Sequence, residues 1–210
     1  MYQAQTENNS LIPNPEAIEK LYSGIRKADP ELKVLHMDNI NPANIVNYPD
    51  KCQKILETIT KYNTTGDIAA FGLESADPVV LEKNNIETDT ELTFEAIKII
   101  NEIGGFREKG IPKLLPGINF LHGLIGEREE TMKFNFRFLQ GILEQDLMLR
   151  RINIRQVATL GSYPEVDINP KKFKEYKEKI NKKINQPMLQ RVFPVGTIMQ
   201  GVKTETNRGK

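Results

Sequence analysis

The sequence predicts an α/β fold in which about four short parallel strands alternate with helices. Three observations lead to this prediction. Short apolar runs bounded by glycine, proline or asparagine recur along the chain. Each is followed by a longer run whose apolar residues repeat with a period near 3.6, and the connections between the runs are short. Strands joined by crossover helices pair in parallel, so a parallel sheet follows.

Composition limits the classes of protein and partner. The chain has 210 residues, of which 39% are hydrophobic and 27% charged, which fits one domain with appendages. Its 29 lysines and arginines nearly balance 28 aspartates and glutamates, so the net charge does not indicate a nucleic acid or an anionic membrane as partner. No apolar run reaches the length of about 18 residues that a membrane span needs. The amino-terminal residues do not resemble a signal peptide, and we expect a cytoplasmic protein.

The first elements are predicted from capping residues and apolar spacing. Asn14 is a natural N-cap and Pro15 fits the first position of a helix. Residues 32–37 (LKVLHM) form an apolar run that predicts a first strand. A loop follows, and then a helix whose apolar side includes Cys52. A single cysteine excludes an internal disulfide framework and a cysteine-rich zinc site made by this chain alone.

The same pattern then repeats. DIAAFGLES, residues 67–75, predicts a second strand, and a helix leads from it towards the double glycine at 104 and 105. PGINFLHGLIG, residues 116–126, predicts the third strand and residues 131–145 the third helix. RINIRQVATL, residues 151–160, predicts the fourth strand. Four units are too few for an eight-unit barrel, and no Gly-x-Gly-x-x-Gly follows the first strand, so an open sheet and part of a barrel both remain as interpretations.

The tail predicts two further pieces. Residues 170–185 place Phe173, Tyr176 and Ile180 on one side and lysines around the rest, which predicts a helix on the surface. Glutamates among the lysines favour a solvated face over a nucleic-acid helix. From Pro187 onwards the sequence predicts one or two β-strands.

Candidate site residues follow the ends of the strands, because ligands of parallel α/β folds bind beyond these ends. Glu74 is a carboxylate that can accept hydrogen bonds from a vicinal diol such as a ribose, and Ser75 can donate or accept beside it. Ser75 or Asp77 can instead cap the helix that begins at Pro78, and this is the more ordinary role for both residues.

The end of the third strand contains two glycines followed by acidic residues. Gly123 and Gly126 predict a backbone that passes close to a flat or bulky ligand. Glu127, Glu129 and Glu130 are expected to complement the positive end of the next helix rather than to take part in chemistry.

Two of these strand ends resemble a known superfamily. FGLESADPVVLEKNN and, one helix later, INFLHGLIGEREET are similar to the fourth and fifth strands of radical S-adenosylmethionine (SAM) enzymes. There a GIESG-like strand end with a downstream asparagine precedes an I-x-GxPGET-like strand end. The resemblance covers residues 31–157 and implies an iron–sulfur oxidoreductase that generates a 5′-deoxyadenosyl radical. It implies the following cofactor-binding residues: Glu74 and Ser75 near the ribose and neighbouring polar atoms, Asn85 at the downstream asparagine, Gly123, Leu124, Ile125 and Gly126 near the adenine, and Arg155 for a carboxylate.

The sequence departs from the superfamily pattern at several positions. The superfamily holds a 4Fe–4S cluster with a Cys-x-x-x-Cys-x-x-Cys loop, and Cys52 alone cannot replace three thiolates. Cys52 also lies in a helical pattern, which favours a buried inert thiol. Ile125 stands where the pattern has proline, and Ala76 where it often has glycine.

The resemblance therefore implies a fragment, the carboxyl-terminal half of a partial (β/α) barrel, which should be inactive alone. The expected parts are a leading helix (1–30), the half-barrel (31–165), a lysine-rich surface helix (166–186) and the start of a β module (187–210). Half a barrel leaves one sheet face open, and we expect a second protomer or the tail to cover it. The substrate class is not predicted.

Two other interpretations come from different function classes. A metal-dependent hydrolase would need His36, Asp38, Glu74 and His122 to converge on Zn²⁺ or Mn²⁺. A non-catalytic domain would use the same strand ends to hold a nucleotide or a protein partner.

Overall fold

A computed structural model describes residues 4–7, 10–158, 161–164 and 166–198. The helices are α1 (Pro15–Ala28), α2 (Pro42–Asn47), α3 (Pro49–Tyr62), α4 (Pro78–Lys83), α5 (Thr90–Gly104), α6 (Glu129–Glu144), α7 (Pro170–Ile180) and α8 (Gln186–Val192), with a π-helical segment Asn181–Asn185 before α8. The strands are β1 (Gln5–Glu7), β2 (Ser10–Ile12), β3 (Asp67–Glu74), β4 (Arg107–Glu108), β5 (Ile111–Pro112), β6 (Leu114–His122) and β7 (Arg151–Gln156). No helix in these ranges is both long and apolar enough to cross a lipid bilayer.

The central sheet confirms the predicted α/β class. β3, β6 and β7 pair in parallel and lie side by side in the order of the sequence. Two small antiparallel pairs, β1 with β2 and β4 with β5, lie outside this sheet. α5 and α6 each connect one parallel strand to the next, which is the alternation that the sequence predicts.

The predicted strand at residues 32–37 does not form. Its backbone donors are taken by side chains: Leu35 N donates to Thr64 Oγ1 at 3.1 Å, and Met37 N donates to the carboxylate of Asp67. A single parallel bridge joins Asn39 to Ala70 of β3 just beyond that run. In the described part of the chain, the sheet therefore has three strands and one bridged segment at the position of the fourth.

Helices cover one face of the sheet. Phe120 of β6 is fully buried, and its ring lies edge-on to Phe138 of α6, with the ring centroids 6.5 Å apart. α5 lies against β6 so closely that a Cβ on Gly104 would stand 2.5 Å from the carbonyl oxygen of Leu114. The opposite face, called the inner face below, carries half-buried or exposed polar side chains, among them Asn153 and Arg155.

The tail is partly as predicted. α7 and the π-helical segment form the expected helix, with Tyr176 and Ile180 buried and the lysines exposed. The predicted strand after Pro187 is wrong as far as residue 198, because α8 occupies the residues up to Val192 and residues 193–198 form a turn without a strand. Pro187 lies in the first turn of α8, directly after the π-helical segment, and without an N–H it cannot donate a backbone hydrogen bond to that segment. The rest of the predicted β module, from residue 199, lies outside the described residues.

Candidate functional site

An open cavity of about 430 Å³, called the strand-end cleft, lies on the inner face of the sheet. It reaches the carboxyl end of β3, the sheet edge at which parallel α/β folds bind their ligands. Its polar and charged lining comes from the bridged segment and from all three strands: Asp38, Asn39, Glu74, Asn119, Arg151, Asn153 and Arg155. Two of the predicted site residues, Glu74 and Arg155, thus line the same cleft.

A bulge at the end of β3 turns the Glu74 side chain into the cleft. The pairing with β6 shifts register between Phe71 and Glu74, so β3 has two residues where β6 has one. Glu74 pairs with Phe120, and in a regular strand both side chains would point to the helix-covered face. Instead Glu74 adopts a left-handed backbone, with φ of +62°, and its carboxylate lies over Gly72. A non-glycine residue with this φ is strained, and such strain is typical of functional sites.

The Glu74 carboxylate is in a poorly solvated position. Burial raises the pKa of the Glu74 carboxyl above its ordinary value of 4.5. Among the described residues it forms no ion pair. A ligand that donates hydrogen bonds to this group would replace hydration that the fold has already reduced.

The side of the cleft opposite Glu74 is basic. Arg151, Asn153 and Arg155 alternate along β7 on the inner face, and Asn153 Nδ2 donates to Asn119 Oδ1 of β6 at 2.8 Å. Neither arginine is paired with a carboxylate in the part of the chain that the structure describes. The cleft therefore has a carboxylate on β3 and free guanidinium groups on β7.

The loop after β6 is held by Glu127. Gly123 and Gly126 have φ of +95° and +86°, so both positions require glycine for the backbone path itself. Glu127 Oε1 lies 2.5 Å from His122 Nδ1, and Glu127 Oε2 accepts from Gly123 N. Glu127 was predicted to serve the α6 dipole. It instead joins the two ends of the loop, while Glu129 forms an ion pair with Lys172 of α7.

Asn84 and Tyr163 connect this loop to the helix after β3. Asn84 Nδ2 donates to the carbonyl oxygen of Ile125 at 2.8 Å, and Tyr163 OH donates to Asn84 Oδ1 at 2.8 Å and accepts from Ile125 N at 3.1 Å. The sequence selects Asn85 instead, which is exposed with φ of +52° and lies outside the cleft lining. The hydrogen bond between Asn84 and Ile125 joins residues 41 positions apart, so no local sequence pattern predicts it.

Asp77 takes the capping role considered for it, whereas Ser75 bonds to Asp77 and not to the helix. Both are fully buried. Ser75 Oγ accepts from Asp77 N, and the Asp77 carboxylate accepts from Val79 N at the start of α4. The same carboxylate accepts from Arg128 and, at 2.7 Å, from Thr131 Oγ1 at the start of α6. One buried carboxylate thus joins the first turns of α4 and α6.

The residues proposed for a divalent metal do not converge. His122 is fully buried and its Nδ1 is paired with Glu127, whereas His36 lies 3.9 Å from Asp67. Within the described ranges, no group of three or more histidines, cysteines, aspartates or glutamates is positioned to share an ion. Of the four proposed ligands, only Asp38 and Glu74 line the strand-end cleft. The metal-hydrolase interpretation is wrong for this set of residues.

Cys52 does not suit an iron–sulfur cluster. Its side chain is 4% exposed in α3, and its thiol donates to the carbonyl oxygen of Asn44. Burial raises the pKa of the Cys52 thiol to about 11, which disfavours the thiolate that iron requires. Since Cys52 is the one cysteine in the sequence, the residues of this chain do not fit a 4Fe–4S cluster.

Two archaeal proteins align with most of the chain. An uncharacterized protein of Methanocaldococcus jannaschii is 46% identical over 92% of this chain and 37% of its own length. An uncharacterized protein of Archaeoglobus fulgidus is 39% identical over 92% of this chain and 38% of its own length. The chain thus spans somewhat more than a third of the length of these relatives. No protein-family model matches it.

A solved structure shares the fold. Coproporphyrinogen III oxidase (HemN) from Escherichia coli, a radical SAM enzyme, superposes with a TM-score of 0.57 over 83% of this chain and 37% of the HemN chain. The sequences are 16% identical, so the likeness concerns the fold alone. The α/β arrangement described above therefore also occurs within a radical SAM enzyme.

Proposed function

We propose that the chain is the carboxyl-terminal half of the partial barrel of a radical SAM oxidoreductase, and that its strand-end cleft binds SAM. The observation that carries this proposal is the turned end of β3, which brings the Glu74 carboxylate onto the inner face at the carboxyl edge of a parallel sheet. The fold likeness to a radical SAM enzyme supports it, as does the ordered pair of strand ends in the sequence.

The two charged sides of the cleft suit the two ends of SAM. Glu74 accepts hydrogen bonds from the ribose hydroxyls, and Arg155 pairs with the methionyl carboxylate through its guanidinium fork. Their strands are separated by β6 alone, which sets a lateral separation of about 10 Å. The backbone of the loop at residues 123–126 would lie against the adenine.

The iron–sulfur part of the chemistry requires residues that this chain does not contain. When bound, a 4Fe–4S cluster supplies the electron that cleaves SAM. Under this proposal its thiolate ligands belong to other parts of the longer polypeptide, and the chain alone binds SAM without cleaving it.

Calorimetric titration of the purified chain with SAM tests the proposal. We expect saturable binding that Glu74→Ala weakens by about 1.5–3 kcal/mol, since ribose hydroxyls would lose a charged acceptor. Glu129→Ala is the matched control, because Glu129 is an exposed glutamate outside the cleft lining, and its affinity should equal that of the wild type. Equal affinities for the wild type and Glu74→Ala would remove Glu74 from the site.

A non-catalytic nucleotide-binding domain is the second candidate. The lone buried thiol favours it, since the chain can offer a ligand cleft but no cluster. The two candidates differ in the full-length relatives, where the first requires anaerobic production of 5′-deoxyadenosine from SAM. Binding without that product would leave the non-catalytic domain as the function.

A further inference from the structure

A second and larger cavity, called the strand-edge groove, lies between the free edge of β7 and the helix formed by α7 and the π-helical segment. Its volume is about 640 Å³. β7 pairs with β6 on one side, and among the described residues no strand pairs with its other edge. Backbone donors and acceptors of β7 therefore border the groove.

The groove has three cations and one acid in its lining. Lys174 and Lys177 are one helical turn apart, so they lie on the same side of α7, and Arg155 faces them from β7. None of the three is paired with a carboxylate in the described part of the chain. Glu178 is the acidic member, which leaves an excess of positive charge.

The floor between these charges is apolar. Ile154 and Phe173 line it, and both are partly buried against the core. Phe173 is held by its edge-on contact with the His122 ring, with 5.2 Å between the ring centroids. The Lys177 ammonium lies over the Phe173 ring, 5.5 Å from its centroid. An occupant would therefore place an apolar body on this floor and anionic groups towards the cations.

We propose that the strand-edge groove binds a small amphipathic molecule with two or more anionic groups, either carboxylates or phosphates. The volume lies within the range of small-molecule sites, which is roughly 300–1,000 Å³. A long polyanion such as a nucleic acid would also need positive charge beyond the groove, but the whole chain carries a net charge of +1. The groove shares Asn153 and Arg155 with the strand-end cleft, so its ligand lies beside the cleft occupant. The proposal does not require that occupant to be SAM.

Competing probes in calorimetry test this site on the purified chain at physiological ionic strength. The probes are trimesate (an aromatic tricarboxylate), tripolyphosphate, acetate and a single-stranded oligonucleotide. The test variant is Lys174→Gln with Lys177→Gln. Its charge-matched control is Lys182→Gln with Lys183→Gln, two exposed lysines of the same helical tail that do not line the groove. All four lysines are exposed, so both variants should fold, and circular dichroism checks this.

We expect trimesate or tripolyphosphate to bind, and the groove variant to lose about tenfold or more in affinity while the control stays within about twofold. Acetate should not bind measurably. Preference for trimesate would assign a polycarboxylate and preference for tripolyphosphate a phosphate compound. Failure of both probes to bind, equal losses in the two variants, or tighter binding of the oligonucleotide than of either small anion would overturn the proposal. SAM takes no part in these titrations, so they succeed or fail separately from the proposed function.

Discussion

The carboxylate of Glu74 lies directly over Gly72, where a Cβ would stand 2.5 Å from Glu74 Oε1. Gly72 is therefore the residue that leaves room for the turned carboxylate. A glycine at this strand position has no helical or turn role, since its φ is not in the left-handed region.

Replacing Gly72 with alanine should displace the carboxylate without changing any charge. For Gly72→Ala we expect SAM affinity to fall about tenfold, with little loss of stability, because the colliding atom ends a flexible side chain. Calorimetry and urea unfolding measure the two effects. Gly24→Ala in α1 is the control: no atom of the described residues lies within 4 Å of its new Cβ, so the variant should gain about 0.8–1.0 kcal/mol in stability and keep its affinity.

The left-handed backbone of Glu74 predicts that glycine is more stable than alanine at this position. Glu74→Gly removes the steric strain of about 1–2 kcal/mol that a side chain has at this φ, whereas Glu74→Ala keeps it. The flexibility of glycine in the unfolded chain offsets about 0.5–1 kcal/mol of this gain. We expect Glu74→Gly to unfold at a higher urea concentration than Glu74→Ala, and both to bind SAM weakly. A less stable Glu74→Gly would mean that the backbone there is unstrained.

The stability of the chain should depend on pH through Glu74. Because burial raises the pKa of this carboxyl in the folded state, the folded protein holds the proton more tightly than the unfolded chain. The stability that this raised pKa contributes is fully present below the ordinary pKa of 4.5 and is lost as the pH rises through the folded-state pKa. Glu74→Gln should therefore gain stability relative to the wild type as the pH rises above 4.5. Urea unfolding at a series of pH values measures this difference, and a difference that does not change with pH would contradict it.

Glu127 should matter more for stability than the other glutamates at the start of α6. Glu127→Ala leaves Gly123 N without its acceptor and the buried His122 ring with both nitrogens unpaired, since Nε2 has no partner among the described residues. We expect a loss of about 1–3 kcal/mol in the free energy of unfolding. The exposed Glu130 is the control, and Glu130→Ala should cost only a helix-dipole contribution of about 0.3–1 kcal/mol. Equal losses would show that Glu127 acts through the dipole as well.

The sequence predicts the elements that local chemistry defines. Asn14 caps α1 as expected, accepting from Ala17 N at 3.1 Å, and the helical periods locate α3, α5 and α6. The strand predicted at residues 32–37 fails for a reason that its own residues do not contain. Thr64 and Asp67, about thirty positions later, take the backbone donors that a ladder would need.

The sequence likewise predicts some residues of the candidate site and misses others. Glu74 can be picked out from the sequence because capping of the next helix explains Ser75 and Asp77 but not Glu74. In the structure Glu74 lines the cleft. Tyr163 is invisible to such reasoning, because its bond to Asn84 joins residues 79 positions apart. The role of Glu127 was predicted wrongly. Because Glu127 lies four residues after Gly123, its carboxylate accepts from Gly123 N across the turn and does not act on the helix dipole.

The buried Asp77 carboxylate couples the loop after β3 to the loop after β6. Through Val79 N, Arg128 and Thr131 it belongs to the first turns of both α4 and α6. Opening either loop would leave a desolvated charge without its donors, so the two loops should open together as one cooperative unit. A ligand that contacts only the end of β3 would then slow amide hydrogen exchange in the loop after β6 by the same factor as in the loop after β3. Both loops would respond to one binding event as a single cooperative unit.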